Sequence, residues 1–340
     1  LLKLDSIGPQ GVVAASAGNH AQGVALAARQ ADIPATIVMP EWVSISKQQA
    51  TRNYGGQVII NGQTIGECLE HAIDLARDGR TLIHPFDDKD IITGQGTIGV
   101  EVLRDLPDTD VIVVPVGGGG LISGIAAAAK AIKPTVKVIG VQATASPSAY
   151  EAIKQQKICR VEAAPTIADG IAVQQTGELT YAMIQQLVDD IVLVEEEHIA
   201  AAILMLLERK KTLAEGAGAV PLAALLKGVI PLRQGDKVVL IISGGNVDSP
   251  LLGRIINQGL LKNDRIMRIK VCLDDTPGSL SRLLNHVAQA KANVLNILHD
   301  RNVLDMPINI TRVELELETR GSAHIQAVHK DLEKAGYILE

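Results

Sequence analysis

The sequence predicts an α/β protein in which two open α/β/α parts are followed by a small βαββαβ module of the ferredoxin-like type. Three observations support this class. From Gly11 onward, short β-branched runs alternate with longer Ala- and Leu-rich stretches of helical period. The short runs are apolar throughout, as in parallel strands that helices cover on both faces. After Leu261 the order of elements changes, and apolar and polar residues begin to alternate.

The strands of the α/β part are the continuous apolar runs. They are expected at Val12 to Ala15, Ala35 to Met39, Gln57 to Ile60, Thr81 to His84, Val111 to Pro115, Val136 to Gln142, Ile191 to Val194 and Val238 to Ile242. The crossover helices between them are expected at Asn19 to Ala31, Thr64 to Arg77, Ile98 to Leu106, Leu121 to Ile132, Glu195 to Arg209 and Ala217 to Leu226.

The C-terminal part has a different pattern. Its strands are expected at Arg268 to Leu273, Asn293 to Asp300 and Ile308 to Glu318, its helices at Gly278 to Ala290 and His324 to Ala335, and a short strand ends it. Alternation of Val313, Leu315 and Leu317 with glutamates predicts an antiparallel strand with one wet face. The predicted domains are therefore a large α/β domain of residues 1–10 and 89–262, a small domain of residues 11–88 inserted in it, and a module of residues 266–340.

The composition limits the function classes. Only six of the 340 residues are Phe, Trp or Tyr, and the net charge is -6; both disfavour nucleic-acid binding, which needs stacking aromatics or clustered basic residues. Three separated cysteines without CxxC spacing predict neither a disulfide framework nor a zinc site. No apolar run approaches the roughly 18 residues that span a bilayer, and no signal peptide is recognisable. We expect a cytoplasmic protein with no membrane partner.

The segment Ser16-Ala17-Gly18-Asn19-His20 lies between a predicted strand and a predicted helix. Amides at a helix start, together with the helix dipole, attract an anion such as a carboxylate. Capping of the helix by Ser16 or Asn19 is an equally simple interpretation. The pentapeptide alone does not decide between the two.

The loop Gly117-Gly118-Gly119-Gly120 also joins a strand to a helix, which begins near Leu121. Four glycines cost chain entropy and contribute no packing, which favours close approach to a phosphate over a merely flexible connection. A nucleotide-hydrolysing P-loop is excluded because the Lys and Ser or Thr that it needs are absent. The next strand ends at Gln142 and not at the acidic residue that holds a ribose in dinucleotide folds. A phosphate without a nucleoside remains.

The third loop, Ser243-Gly244-Gly245-Asn246, follows the last predicted α/β strand. Three loops with small polar groups at the carboxyl ends of strands are typical of one shared crevice.

These segments resemble the pyridoxal-phosphate enzymes of the tryptophan-synthase-β type (fold type II), and most closely the threonine/serine dehydratases, or threonine ammonia-lyases. The resemblance rests on SAGNHAQGVA (residues 16–25), HPFDD (84–88), TGQGTIGVE (93–101), PVGGGGLISG (115–124), TIADGIAV (166–173), EGAGA (215–219) and SGGN (243–246).

The resemblance implies roles for the three loops. Asn19 should hydrogen-bond the ring hydroxyl of pyridoxal 5'-phosphate, and Ser243 should face its pyridine nitrogen. The cofactor phosphate and the substrate carboxylate should each be bound by a separate group of residues. The phosphate should be held by Gly117, Gly118, Gly119, Gly120 and Leu121, and the carboxylate by Ser16, Ala17, Gly18 and His20.

The implied reaction is β-elimination of an amino acid to a 2-oxo acid and ammonia. Ser243 is a neutral partner for the ring nitrogen, which makes the ring a weaker electron sink and favours elimination. Racemases of this family carry a serine where this chain has Ala17, so racemisation is disfavoured. The family's divalent-cation site uses acidic residues where this chain has Gln142 and Ser148, so we expect no metal.

One expected residue is missing. The Schiff-base lysine of this family lies in an SFKxRGA-like motif upstream of the SxGN loop, and no such motif occurs in the 340 residues. Lys3 lies in a different context, and Lys47 and Lys89 occupy positions where a solvated surface lysine is expected. We therefore expect no catalytic residue in this chain, a lysine upstream of Leu1, and an inactive chain when taken alone.

The C-terminal module resembles an ACT domain, a regulatory module that binds amino acids. The resemblance implies an amino-acid effector near Pro277, Gly278 and Asn293, and a homo-oligomer, dimer or tetramer, that covers the exposed strand edges. A purely structural or oligomerising module is the alternative.

The expected function is threonine dehydration, with serine as a further substrate. Two alternatives stay open: a β-replacement enzyme of the cysteine synthase type, and a catalytically inactive amino-acid sensor, which the missing lysine favours.

Overall fold

The computed structural model describes residues 2–302 and 306–339. The predicted large domain begins at residue 1 and the predicted C-terminal module ends at residue 340, and both residues, like residues 303–305 within that module, lie outside the described part. The chain divides into two compact units, Leu1–Leu251 and Leu252–Glu340. The predicted division of the first unit into a large and a small domain stays a prediction.

The first sheet of the first unit is parallel. Its strands are β1 Val12–Ala15, β2 Ala35–Met39, β3 Gln57–Ile60 and β4 Thr81–Leu82, in the order β3-β2-β1-β4. The helices between them are α1 Asn19–Gln30, α2 Ile45–Asn53 and α3 Ile65–Ala76. Strands β1 and β2 are fully buried, as their continuous apolar sequences predict.

Two expectations for this sheet are wrong. Strand β3 is partly exposed along its length because it lies at the edge of the sheet, so its faces are not both covered. Strand β4 ends at Leu82 and does not reach His84, whose ring instead accepts hydrogen bonds from the turn that follows. Helix α2 is not among the predicted elements; Ser44 caps it by accepting from the Lys47 amide.

The second sheet is also parallel. Its strands are β5 Val111–Pro115, β6 Lys137–Ala143, β7 Asp190–Val194 and β8 Val238–Leu240, in the order β7-β6-β5-β8. The helices of this part are α4 Lys89–Asp105, α5 Gly120–Ile132, α6 Ser148–Gln155, α7 Glu178–Leu187, α8 Glu196–Met205, which continues as a π-helix over Leu206–Lys210, and α9 Gly216–Lys227.

Helix α4 begins nine residues before the predicted start at Ile98. The Asp88 carboxylate caps it by accepting from the amides of Asp90 and Ile91. The glycines of the TGQGTIGVE segment then let α4 pack closely on α5: a Cβ at Gly99 would lie 2.8 Å from the Ile125 carbonyl oxygen, and one at Gly124 would lie 2.2 Å from that of Ile92. These glycines weaken the helical pattern of the sequence but serve the packing of the two helices.

The second unit contains most of α10 Ser249–Lys262 and an antiparallel sheet. Its elements follow in the order β9 Ile266–Asp274, α11 Ser279–Gln289, β10 Asn293–Asp300, β11 Ile310–Glu318 and α12 Ser322–Lys334, with sheet order β10-β11-β9. An isolated bridge between Val271 and Leu339 stands where the prediction has a last strand. Buried Val313, Leu315 and Leu317 alternate with Glu314 and Glu316 along β11, as predicted.

No helix in residues 2–302 and 306–339 is both long and apolar enough to cross a membrane.

Candidate active site

The predicted site residues lie around one cavity of about 340 Å³ in the first unit. The loops that line it follow β1, β5 and β8, so they lie at the carboxyl ends of parallel strands. Every residue predicted to meet cofactor or substrate lines it: Ser16, Ala17, Gly18, Asn19, His20, Gly117, Gly118, Gly119, Gly120, Leu121 and Ser243.

A larger cavity of about 580 Å³ adjoins the first and shares Asn19 and His20 with it. Its other lining is mainly apolar, from residues such as Leu4, Ile7 and Val24. It lacks the glycine loop and Ser243, which are predicted to meet the cofactor. The smaller cavity is therefore the candidate site.

The glycine loop presents free donors to the cavity. Gly119 adopts a left-handed conformation with φ +100° and is followed by α5, which begins at Gly120. Within the described residues, none of the amides from Gly117 to Leu121 donates a hydrogen bond to the protein. The Thr180 hydroxyl donates to the carbonyl of Gly118 at 2.7 Å and so fixes the orientation of that peptide. Unpaired amides at the positive end of a helix form an anion site.

Phe86 explains why two of these positions must be glycine. A Cβ at Gly118 would lie 2.3 Å from the Phe86 ring, and one at Gly120 would lie 3.0 Å from the Phe86 backbone. Phe86 is held in turn by His84, whose Nδ1 accepts from the amides of Phe86 and Asp87 at 3.3 and 2.8 Å. Burial lowers the pKa of His84, which keeps Nδ1 unprotonated for this role. Phe86 was not predicted as a site residue, although it is the chain's single Phe and lies in the HPFDD motif.

The segment from Ser16 to His20 is shaped by its own hydrogen bonds. The Ser16 hydroxyl accepts from the Gly18 amide at 3.1 Å. The alternative in which Ser16 or Asn19 caps α1 is wrong, because the cap residue is Gly18, with no side-chain contribution. His20 Nε2 bonds the Ile83 carbonyl oxygen at 3.2 Å, and burial lowers the pKa of His20. A neutral imidazole that donates to a carbonyl is the form that fits this contact.

Glu215 is a site residue that was not predicted from the sequence. Its side chain is 6% exposed and lines the cavity, where Oε1 accepts a hydrogen bond from Asn19 Nδ2 at 2.8 Å. Burial raises the pKa of Glu215. The signal for it was the EGAGA motif, to which no role was given.

Lys47 corrects another expectation. It was expected to be solvated, but it is 7% exposed, lines the cavity and donates to Asp169 Oδ2 at 2.7 Å. Helix α2, which places it there, was not predicted. Lys89 is exposed, as expected.

Ser243 follows β8 and lies on the cavity wall together with Asn246. At the end of β6, Gln142 Nε2 donates to the Val116 carbonyl oxygen and to Ser148 Oγ, and its Oε1 accepts from the Tyr150 amide. No group of three or more His, Cys, Asp or Glu residues that could hold a metal occurs in the described part of the chain.

The three predicted effector residues are not brought together within one chain. Pro277 and Gly278 follow β9, next to the start of β11, whereas Asn293 pairs with Glu318 at the other end of β11. The nine residues of β11 separate these ends by about 27 Å. Gly278 has φ +88° and caps α11, and Asn293 Nδ2 donates to Glu318 Oε2 at 3.3 Å.

The residues of the cavity fit pyridoxal 5'-phosphate. The free amides of the glycine loop suit a phosphate, the Asn19 amide suits a ring hydroxyl, and the Ser243 hydroxyl is a neutral partner for a pyridine nitrogen.

Comparisons with known proteins agree. L-threonine ammonia-lyase of Thermotoga maritima is 50% identical over 329 residues, which are 96% of this chain and 82% of that protein. A threonine deaminase from Solanum lycopersicum (processed form of isoform 2) matches with a TM-score of 0.68 and 40% identity over 73% of each chain. Maize serine racemase matches with a TM-score of 0.69 and 36% identity over 76% of this chain and 80% of that one. Residues 1–244 match the family described as pyridoxal-phosphate dependent enzyme. The chain therefore belongs to the pyridoxal-phosphate dependent enzymes.

Proposed function

We propose that this protein is a threonine ammonia-lyase that converts L-threonine to 2-oxobutanoate and ammonia by β-elimination, and L-serine to pyruvate. The observation that carries the proposal is the convergence of the three loops on one cavity of about 340 Å³. The relative named L-threonine ammonia-lyase, 50% identical over 96% of this chain, supports the choice of reaction.

The proposed cofactor contacts follow from the donors around the cavity. When bound, pyridoxal phosphate supplies an electron sink that makes the Cα proton of an amino acid acidic. The amides from Gly117 to Leu121 bind the phosphate, Asn19 donates to the ring hydroxyl, and Ser243 faces the pyridine nitrogen. A hydroxyl does not hold that nitrogen protonated as a carboxylate would, which favours loss of the β-hydroxyl over a long-lived carbanion.

The substrate carboxylate is proposed to bind at the start of α1. In the described residues, the amides of Ala17, Asn19 and His20 donate no hydrogen bond to the protein. Three such donors at a helix N-terminus suit a carboxylate. Ala17 has no group that could return a proton to Cα, which supports a lyase over a racemase even though the fold is shared with maize serine racemase.

We also propose that no lysine of residues 1–340 bonds covalently to the cofactor. Lys47 lines the cavity, but its ammonium is held by Asp169 at 2.7 Å. Borohydride reduction of the 340-residue chain with pyridoxal phosphate, followed by peptide mass mapping, should find only scattered, low-yield modification of exposed lysines. A stable adduct on Lys47 or on any other single lysine, in an amount that approaches one per chain, would refute this proposal.

The C-terminal unit is proposed to be an ACT domain that binds an amino-acid effector. The Pro277-Gly278 turn follows β9 beside one end of β11 and Asn293 pairs with the other end, and the two ends of β11 are about 27 Å apart; this supports a site built from two copies, one giving the turn and the other Asn293. We therefore propose that the effector binds at the interface of a homo-oligomer, dimer or tetramer. The three free cysteines fit a cytoplasmic location.

The test is an assay of the protein, expressed from its own gene, with L-threonine and pyridoxal phosphate. Formation of 2-oxobutanoate without an added thiol is expected. Product that appears only with a thiol, as a thioether amino acid, would favour β-replacement. Amino-acid binding with no turnover of any kind would favour a sensor.

A further inference from the structure

Glu215 contacts two of the three loops that face the cavity. Its carboxylate accepts from Asn19 Nδ2 at 2.8 Å, and its backbone amide donates to the Gly244 carbonyl oxygen at 3.0 Å. Glu215 is also the residue before the first turn of α9. One residue thus joins the proposed partner of the ring hydroxyl to the turn that carries Ser243.

Gly218 and Gly244 leave room for this contact, and a larger residue at either position would not fit. A Cβ at Gly244 would lie 2.2 Å from Glu215 Oε1 and 2.9 Å from Asn19 Nδ2. A Cβ at Gly218 would lie 2.8 Å from the Gly244 carbonyl oxygen. The EGAGA and SGGN segments are therefore packed backbone to backbone around the Glu215 carboxylate.

Building on the proposed function, we propose that Glu215 is a positioning residue that orients the Asn19 amide toward the cofactor ring hydroxyl. The side-chain amide of asparagine has two N–H groups. One of them is engaged by Glu215 Oε1, so the Asn19 amide plane is fixed and its second N–H remains as the donor for an oxygen in the cavity.

The charges around Glu215 agree with this role. Burial raises the pKa of its carboxyl, the hydrogen bond from Asn19 lowers it, and the nearby Asp169 and Lys47 act in opposite directions. A buried carboxyl costs stability, and such costs are concentrated at functional sites.

The test compares two ligands on three variants of the full chain. Pyridoxamine 5'-phosphate, which cannot form a Schiff base with lysine, and an analogue lacking the ring hydroxyl are titrated by calorimetry. Glu215→Leu removes the acceptor, Glu215→Asp withdraws it from Asn19, and Glu215→Gln keeps an acceptor oxygen of the same reach.

Glu215→Leu and Glu215→Asp should each weaken pyridoxamine 5'-phosphate binding about tenfold, the effect of one lost oriented hydrogen bond. Glu215→Gln should stay within about threefold of wild type, and no variant should change binding of the analogue. The Asp variant keeps the test valid if the Leu variant does not fold.

Equal weakening of both ligands, or wild-type binding by the Asp variant, would overturn the positioning role. Failure of the wild-type chain to bind either ligand is a separate result that would refute the proposed function itself.

Discussion

Replacement of Gly118 by alanine should damage cofactor binding without unfolding the protein. The added Cβ would lie 2.3 Å from two carbons of the Phe86 ring, whereas carbon atoms in contact are about 3.5–4.0 Å apart. The ring, or the loop, must therefore move by more than about 1 Å. The ring cannot yield easily, because the His84 imidazole packs against it edge-on with centroids 4.7 Å apart and anchors the turn.

Overpacking of this kind costs about 1–3 kcal/mol. If the strain displaces the loop amides, pyridoxamine 5'-phosphate affinity should fall roughly 5- to 150-fold, since about 1.4 kcal/mol corresponds to a factor of ten. Calorimetric titration measures this directly. Gly253→Ala is the matched control, since a Cβ there meets nothing within 4 Å and Gly253 lies in α10.

A second substitution checks the cause. Phe86→Ala added to Gly118→Ala removes the clash and should recover part of the lost affinity. A folded Gly118→Ala variant that binds pyridoxamine 5'-phosphate like wild type would refute the idea that the glycine loop grips the phosphate.

Three further predictions concern buried groups. Asp169→Asn should destabilise the fold by about 1–3 kcal/mol, because the largely buried Lys47 ammonium loses its charged partner. Lys47→Met should cost at most about 1 kcal/mol, because the Asp169 side chain is 42% exposed and water can solvate it. Urea unfolding of both variants compares the two costs, and equal costs would contradict the asymmetry. Burial raises the pKa of the Cys68 thiol from 9.0 to about 11, so alkylation at pH 8 should be about 100-fold slower in the folded than in the unfolded protein. Mass spectrometry after timed iodoacetamide treatment measures both rates for the Cys68 peptide, and similar rates would contradict the prediction. Burial raises the pKa of the Glu215 carboxyl, so ionisation of this group costs stability as the pH rises above the ordinary carboxyl pKa of 4.5. Glu215→Gln should therefore melt at a higher temperature than wild type at pH 7 but not at pH 4. A difference in melting temperature that stays constant from pH 4 to pH 7 would count against the raised pKa.

The sequence predicted the parts of the molecule that local pattern controls. Strands such as Val12–Ala15 and Val111–Pro115 were predicted with the correct ends, because buried parallel strands are continuous apolar runs. The cavity lining was also predicted, because loops at the carboxyl ends of parallel strands converge. The roles of those residues remain predictions.

The structural features that were not predicted depend on contacts between distant segments of the chain. Lys47 was expected in solvent because a surface lysine is the usual case at such a position, and its partner Asp169 lies 122 residues away in the chain. The partner of Asn19 lies 196 residues away at Glu215. Helix α4 was predicted too short because its glycines, which contact α5, resemble a loop in a propensity argument.

The most direct test of how this chain holds its cofactor is a crystal structure of the protein with pyridoxal 5'-phosphate. The phosphate oxygens should lie within hydrogen-bonding distance, about 2.7–3.2 Å, of the amides between Gly117 and Leu121. The ring hydroxyl should lie next to Asn19, and the pyridine nitrogen next to Ser243. A phosphate bound away from the glycine loop, or a ring turned so that Ser243 meets no nitrogen, would contradict the proposed site.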